Sequence, residues 1–290
     1  MRTSYSVPVK ADTLESYHER MARVLAHIEA HLDEPLALED LAEIACFSPY
    51  HFHRVFRGMV GESVKEHVRR LRLERAARRL LRDDSTVLAL ALDAGYETPE
   101  SFTRAFDALF GLAPSAFRRN GGKMDAESKL EKAALPAVEV AVKRLEPLRV
   151  AYVRHIGPYQ QVGEAWSKLC TWAGPKGLLG PGLVRLGISH DDPEITPPER
   201  LRYDAALVVP ESVTGSGEVA IQEIPGGDYA VAIHRGPYER LGQTYAALCG
   251  MWLPASGREV RDAPPIEFYR IAFGEAPPEE FLTEICVPLV

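Results

Sequence analysis

The chain has 290 residues, of which 46% are hydrophobic and 26% charged, with a net charge of −7. That is enough for two or three domains with their own cores and ordinary for a globular protein. No run of about 18 apolar residues occurs, which excludes a membrane-spanning helix, and the opening "MRTSYSVPVK" lacks the apolar stretch of a secretory signal.

The four cysteines, Cys46, Cys170, Cys249 and Cys286, show no CxxC spacing, against a zinc site or a disulfide framework. A cytoplasmic location with no membrane contact is expected, and neither a cofactor nor a metal. The charge is uneven. Residues 1–123 hold 18 Lys+Arg and 18 Asp+Glu, leaving 16 and 23 for residues 124–290. The acidity belongs to the C-terminal part, while residues 68–82 read "VRRLRLERAARRLLR", a local basic stripe of the kind that meets nucleic acid.

Residues 1–120 read as helical throughout. Tyr17, Met21, Val24, Leu25, Ile28 and Leu32 recur with a 3.6-residue period, giving a first long helix one buried face. Two short helices across a tight turn follow, then a longer helix carrying Val64, Val68, Leu71 and Leu80, then two more short helices. This part repeats itself with an offset of 50: Ser48-Pro49 matches Thr98-Pro99, and Phe52, Arg54, Phe56 and Gly61 match Phe102, Arg104, Phe106 and Gly111. Ser or Thr before Pro is a strong helix start. Phe52, Val55 and Phe56 share one helical face, as do Phe102, Ala105 and Phe106. Tyr50, His53 and Arg54 are thereby expected outward in the first copy, and Glu100, Ser101 and Arg104 in the second.

A helix braced in this way across a tight turn is a helix-turn-helix. An outward Arg pairs with guanine, and Ser, His or Glu with other base edges. A solvated face of an ordinary bundle explains one such copy as well as DNA does, but explains two matching copies poorly. The connecting helix, from 63 to 81, would be about 28 Å long at 1.5 Å per residue, close to the roughly 34 Å between successive major-groove faces. "HIEAH" sets His27 and His31 at i and i+4, but without a third ligand nearby it reads as a solvated helix face.

Residues 121–136, "GGKMDAESKLEKAALP", read as a linker. After it the period falls to two. "VEVAVKRL" with "LRVAYVRH", and "EVAIQEI" with "YAVAIHR", read as hairpins. Each second strand enters a repeated phrase, "HIGPYQQVG" from His155 and "HRGPYERLG" from His234, 79 residues apart, then a helix and two further strands. The expected chain is therefore multidomain. An all-α domain with two helix-turn-helix motifs occupies 1–120, and an α+β domain of two pseudo-symmetric strand-helix-hairpin repeats occupies 137–290. Tyr159 and Tyr238 read as corner packing, and a cleft between the halves is the expected place for a small molecule. Within "TEICVPL", Glu284 and Cys286 share a face; within "IEFYRIAF", Glu267 and Tyr269 do. A carboxylate beside an aromatic suits an amphipathic cation, while an exposed edge or a salt bridge accounts for either Glu equally well.

The stretch from 14 to 120, with "LAEIACFSPYHFHRVFRGMVGESVKEHVRRLRLERAARRLL" and "ALDAGYETPESFTRAFDALFGLAPSAFRR", resembles the AraC/XylS family of transcriptional regulators, many of which carry this module at the C-terminus instead. The resemblance implies a cytoplasmic regulator that binds double-stranded DNA and addresses RNA polymerase, with Tyr50, His53, Arg54, Glu100, Ser101 and Arg104 at the bases. Residues 137–290 resemble the GyrI-like effector-binding domain through the "HxGPY" corner, the Glu267-x-Tyr269 strand and the final "TEICVPL" strand. That resemblance implies a small-molecule effector, amphipathic or cationic, met by Glu267, Tyr269 and Glu284 with Trp252 as a wall. Asp204 stands where the last strand has Glu284. Two other readings stay open: a GyrI-like hydrolase using Glu284 as general base, and a C-terminal domain that docks a protein partner.

Overall fold

The computed structural model describes residues 11–122, 135–193, 196–271 and 274–290; the expected linker lies, apart from its ends, outside the described residues. The chain divides into two compact units. One comprises Met1–Tyr17, Tyr50–Met59 and Leu135–Val290, the other His18–Pro49 and Val60–Ala134.

Among the described residues, the N-terminal part has seven helices: α1 (Ala11–Ala30), α2 (Leu38–Ile44), α3 (Pro49–Val60), α4 (Val64–Arg82), α5 (Val87–Asp93), α6 (Pro99–Phe110) and α7 (Pro114–Arg119). Their starts are written in side chains. The Ser63 hydroxyl accepts from the Glu66 amide while the Glu66 carboxylate accepts from the Ser63 amide, a capping box that opens α4. Thr98 caps α6 through the Ser101 amide, with Pro99 in the first turn and Gly111 ending the helix at φ +71°. The turn after α2 passes through Cys46 at φ +54°, and the turn after α5 through Gly95 at φ +82°. The same two backbone bonds close both turns: Phe47 to Ala42 and Tyr96 to Ala91, Cys46 to Glu43 and Gly95 to Leu92.

Leu73, Ala76, Leu80, Leu90, Phe102, Phe106 and Phe117 form the core of the second helix-turn-helix. The arginines of α4 fasten the rod to its surroundings. Arg70 pairs with Glu62 and Glu74, Arg72 donates to the Leu32 and Glu34 carbonyls, and Arg75 pairs with Asp33 and Arg79 with Asp93. Arg78 and Arg82 are exposed.

Among the described residues, the C-terminal part is built on one eight-stranded antiparallel sheet: β1 (Val140–Leu145), β2 (Leu148–Ile156), β3 (Arg185–Ser189), β4 (Arg202–Val208), β5 (Ala220–Ile224), β6 (Gly227–Arg235), β7 (Ile266–Ile271) and β8 (Leu282–Pro288). The order is β1-β6-β8-β7-β3-β4-β2-β5. Exchanging β1–β4 for β5–β8 reverses this order onto itself, so the two halves meet at β7 and β3.

The two expected hairpins do not form. β1 pairs with β6 and β5 with β2, each half lending its first strand to the other. The loops "EP" and "PGGD" join strands that lie in different halves. Period-two alternation sets which residues face the core, but it does not choose the partner strand.

Helices α8 (Gly163–Ala173) and α9 (Leu241–Ala247) follow the two GPY corners, and α9 continues through a wide turn, Leu248–Trp252, into α10 (Leu253–Ser256). α8 packs on β2 and β4, and α9 on β6. The opposite sheet face gathers Val150, Leu186, Ile188 and Ala206 from one half with Tyr229, Val231, Phe268 and Cys286 from the other into one core. Among the described residues no helix is long and apolar enough to cross a membrane.

Candidate functional site

The repeated corner is a self-contained lock. Gly157 and Gly236 take φ values of +141° and +116°, which a side chain rarely adopts. The His two residues earlier then folds back onto the corner: His155 Nε2 donates to the Pro158 carbonyl at 3.1 Å and His234 Nε2 to the Pro237 carbonyl at 3.2 Å. In the second copy Nδ1 also meets Thr244 Oγ1 at 2.8 Å. Each lock fixes where the following helix starts. Eleven residues after each His, that helix carries an aromatic donor: Trp166 in α8 and Tyr245 in α9.

Both donors lead to Glu267, which faces Gly187 across the β7/β3 seam. Tyr245 Oη donates to Glu267 Oε1 at 2.8 Å, Ser189 Oγ to the same oxygen at 3.3 Å, and Tyr269 Oη to Oε2 at 2.8 Å. Trp166 Nε1 donates to Tyr203 Oη at 3.2 Å, and Tyr203 Oη lies 2.9 Å from Tyr269 Oη. With the Tyr269 proton directed to Glu267, the bonds run in one direction, Trp166 to Tyr203 to Tyr269 to the carboxylate.

Tyr238 adds an edge 5.5 Å from the Tyr269 ring. Burial, then the negative charge of Glu267, pushes the Tyr245 and Tyr269 hydroxyls well above the ordinary tyrosine range, so both stay donors.

Glu267 is 4% exposed, and among the described residues its bonded partners are neutral hydroxyls. The other two strand acids differ. Asp204 takes a two-pronged bond from Arg154 at 2.7 and 2.8 Å and a third contact from His190 at 2.8 Å. Glu284 is paired with Arg270 at 2.6 Å and Lys143 at 3.1 Å.

Register explains the separation. Glu284 lies opposite Phe268, and Glu267 opposite Ile285. Glu267 and Tyr269 thus share the sheet face with Ile285, while Glu284 shares the other with Cys286. The expected convergence of Glu267, Tyr269 and Glu284 fails: the first two meet, and the sheet stands between them and Glu284. Trp252 is half-buried at the end of the wide turn. Tyr245, earlier on the same helical run, makes the contact with the acid. Corner Tyr159 sends its hydroxyl to the Asp191 carbonyl at 2.5 Å.

The six residues expected at DNA also separate. On α6, Glu100 and Arg104 are exposed and Ser101 is half-buried beneath the Thr98 cap. On α3, the outward face is covered. His53 is 3% exposed and Arg54 8%.

His53 Nδ1 lies 3.1 Å from Asp192 Oδ2, and Arg54 Nε 3.8 Å from the same oxygen. The Arg54 guanidinium lies 4.1 Å from the Tyr50 ring centre and 3.6 Å from that of Tyr245. Tyr50 Oη donates to the Ser189 carbonyl at 3.1 Å. Burial pushes the Asp192 carboxyl up, but the His53 bond and the Arg54 charge outweigh it and hold the group below the ordinary range. A guanidinium reads as solvent-facing when its helix is viewed alone. Here a carboxylate and two rings supply what water would.

His27 and His31 stack at 4.0 Å, with His31 Nδ1 bonded to the His27 carbonyl. Among the described residues no cluster of three metal-ligating side chains occurs.

Two family models match the chain: a GyrI-like small molecule binding domain over residues 138–290, and a helix-turn-helix domain over residues 41–120. The HTH-type transcriptional regulator YbfP of Bacillus subtilis is 37% identical over 102 residues, 35% of this chain and 35% of that protein. The right origin-binding protein of Escherichia coli is 33% identical over 97 residues, 33% of this chain and 34% of that protein. The matched segment thus spans about a third of these curated relatives. Among solved structures, the EcmrR C-terminal domain is similar at 22% identity and a TM-score of 0.43, covering 53% of this chain and 98% of that one. With the first model covering more than half its length, the chain belongs to the GyrI-like family, and it carries an AraC-type helix-turn-helix domain ahead of that domain.

Proposed function

We propose that the chain is a sequence-specific transcriptional regulator that binds double-stranded DNA through α3 and α6 and senses an amphipathic organic cation at Glu267. The observation that carries the sensor is the contrast among three strand acids. Asp204 and Glu284 each hold an arginine, whereas Glu267 is held, among the described residues, by hydroxyls alone. A buried carboxylate ringed by Tyr245, Tyr269, Tyr203, Trp166 and Tyr238 has charge and aromatic faces for a cation. It also lies at the seam where the two halves meet.

The DNA reading rests on the paired motifs. α4, at about 28 Å over its 19 residues, is near the spacing of successive major-groove faces. RNA polymerase is the partner such a regulator would address, and the chain would work in the cytoplasm. We read the C-terminal part as a sensor and not an enzyme. A hydrolytic Glu284 would need a free carboxylate to activate water, and Arg270 and Lys143 engage it.

The test is a titration of the full chain with tetraphenylphosphonium, followed by tryptophan fluorescence, for the parent and Glu267→Gln. Loss of about tenfold or more in affinity is expected, corresponding to roughly 1.4 kcal/mol. Equal affinity would remove Glu267 from the site. For DNA, duplexes enriched from a random pool by the full chain should show protection over two successive major-groove faces.

A further inference from the structure

The face of α3 that carries Tyr50, His53 and Arg54 is the one proposed to read bases, and it is also the face closing over the Glu267 cluster. Four contacts place it there. Tyr50 Oη bonds the carbonyl of Ser189, whose hydroxyl bonds Glu267. Arg54 stacks on Tyr245, whose hydroxyl bonds Glu267. His53 and Arg54 share Asp192.

One helical turn beyond Arg54, Gly58 runs against Gly250: a Cβ on Gly58 would strike the Ala246 carbonyl and the Gly250 backbone, and one on Gly250 would strike Gly58. Two glycines with touching backbones make a shaped seat, since a side chain on either would hold the segments apart. The Tyr50 hydrogen bond, the stacked and ion-paired Arg54 and the Gly58 seat lie along one stripe of α3, at positions 50, 54 and 58.

We propose that Arg54 is a built-in cation that caps the effector site, so that an external organic cation and the docked α3 exclude one another. An effector reaching Glu267 would take the Tyr245 face from Arg54 and release Tyr50, His53 and Arg54 together. The effector would then favour the form able to place α3 on DNA, and by reciprocity DNA would tighten the effector. This rests on the reading of Glu267 as the effector site. It fixes the sign of the coupling, and it fixes the ligand chemistry as a flat or delocalised cation able to replace a guanidinium on a tyrosine ring.

The experiment uses the full chain, tetraphenylphosphonium as the probe, and two variants on the C-terminal side of the seat, Gly250→Leu and Asp192→Asn. Binding is read by tryptophan fluorescence, and docking by hydrogen exchange in peptides covering residues 50–59. In the parent, the probe should raise exchange in 50–59. Both variants should show raised exchange without probe and should bind it more tightly, by about tenfold if the docked form holds about 90% of the population.

Asp192→Asn keeps the shape of the seat, so it carries the test if Gly250→Leu does not fold. Probe binding with unchanged exchange in 50–59, and equal affinity in the variants, would overturn the cap while leaving the effector site standing. No binding to the parent or to either variant would overturn both.

Discussion

Gly187→Ala tests the Glu267 network at its most constrained point. Gly187 lies on β3 opposite Glu267, outside the positive-φ residues, so its backbone accepts alanine. In a strand interior, exchange of Gly for Ala ordinarily gains about 0.5–1 kcal/mol. Here the added Cβ would sit 2.5 Å from Tyr203 Oη and closer still to Tyr269 Oη. Those two hydroxyls are 2.9 Å from each other and hold the chain of bonds onto Glu267. Relief requires the rings to part. Overpacking costs about 1–3 kcal/mol, and breaking one buried bond in the chain adds about 1 kcal/mol. Set against the ordinary gain, the net is a loss of about 1–3.5 kcal/mol. For a domain of this size that lowers the transition by roughly 2–14 °C. All three tryptophans, Trp166, Trp172 and Trp252, belong to the C-terminal part, so thermal unfolding followed by tryptophan fluorescence reports this domain selectively. A raised midpoint, or one unchanged with intact cation binding, would refute the packing of the two tyrosines over Gly187.

Arg104→Ala removes an exposed side chain and should leave stability within about 0.5 kcal/mol, while DNA affinity falls by about 1–3 kcal/mol in an anisotropy titration. Glu284→Gln should cost at most about 1 kcal/mol, as a part-exposed pair does, and should leave tetraphenylphosphonium affinity unchanged by fluorescence. The Asp204 carboxyl is pushed up by burial but more strongly lowered by Arg154 and His190, so its value in the folded protein lies below the ordinary range. Its contribution is therefore full above about pH 4, near the unfolded value, and is lost as pH falls through the depressed folded value. Urea midpoints should fall below about pH 4 more steeply for the parent than for Asp204→Asn. Gly58→Ala would gain about 1 kcal/mol from helix propensity in a free helix, but a Cβ there meets the Gly250 backbone. Exchange in residues 50–59 should rise, and unchanged protection would place Gly58 elsewhere.

Much of the architecture was legible because it is local. The caps at Ser63 and Thr98, the buried aromatic pairs Phe52–Phe56 and Phe102–Phe106, and the GPY corners are set by residues a few positions apart. What escaped depends on register and on distant partners. Periodicity puts Glu267 on the Tyr269 face and Glu284 on the Cys286 face of their own strands, but only the pairing of Glu267 with Ile285 decides that these are opposite sides of one sheet. The exchange of β1 and β5 between halves is hidden for the same reason. Tyr245 and Trp166 were within reach: continuing the 79-residue repeat three positions past Gly163 and Gly242 aligns them, and both send a donor toward the same acid. Burial of Arg54 left no local trace except Gly58, a residue that weakens a helix interior and has its reason in Gly250.

The two helix-turn-helix copies match at Pro, Phe, Arg and Phe, but they part where α3 meets the C-terminal domain. His53 answers to Thr103, and Gly58 to Ala108. Each difference suits α3 to its seat: His53 bonds Asp192, and Gly58 admits the Gly250 backbone. In α6, Ala108 is exposed and Arg104 open. If both copies served DNA alone, nothing would distinguish position 58 from 108, and alanine, the better helix former, would suit both. The glycine in the first copy has its reason in the Gly250 backbone against which the same face packs, and under the proposed function α6 would be the constant hand and α3 the conditional one.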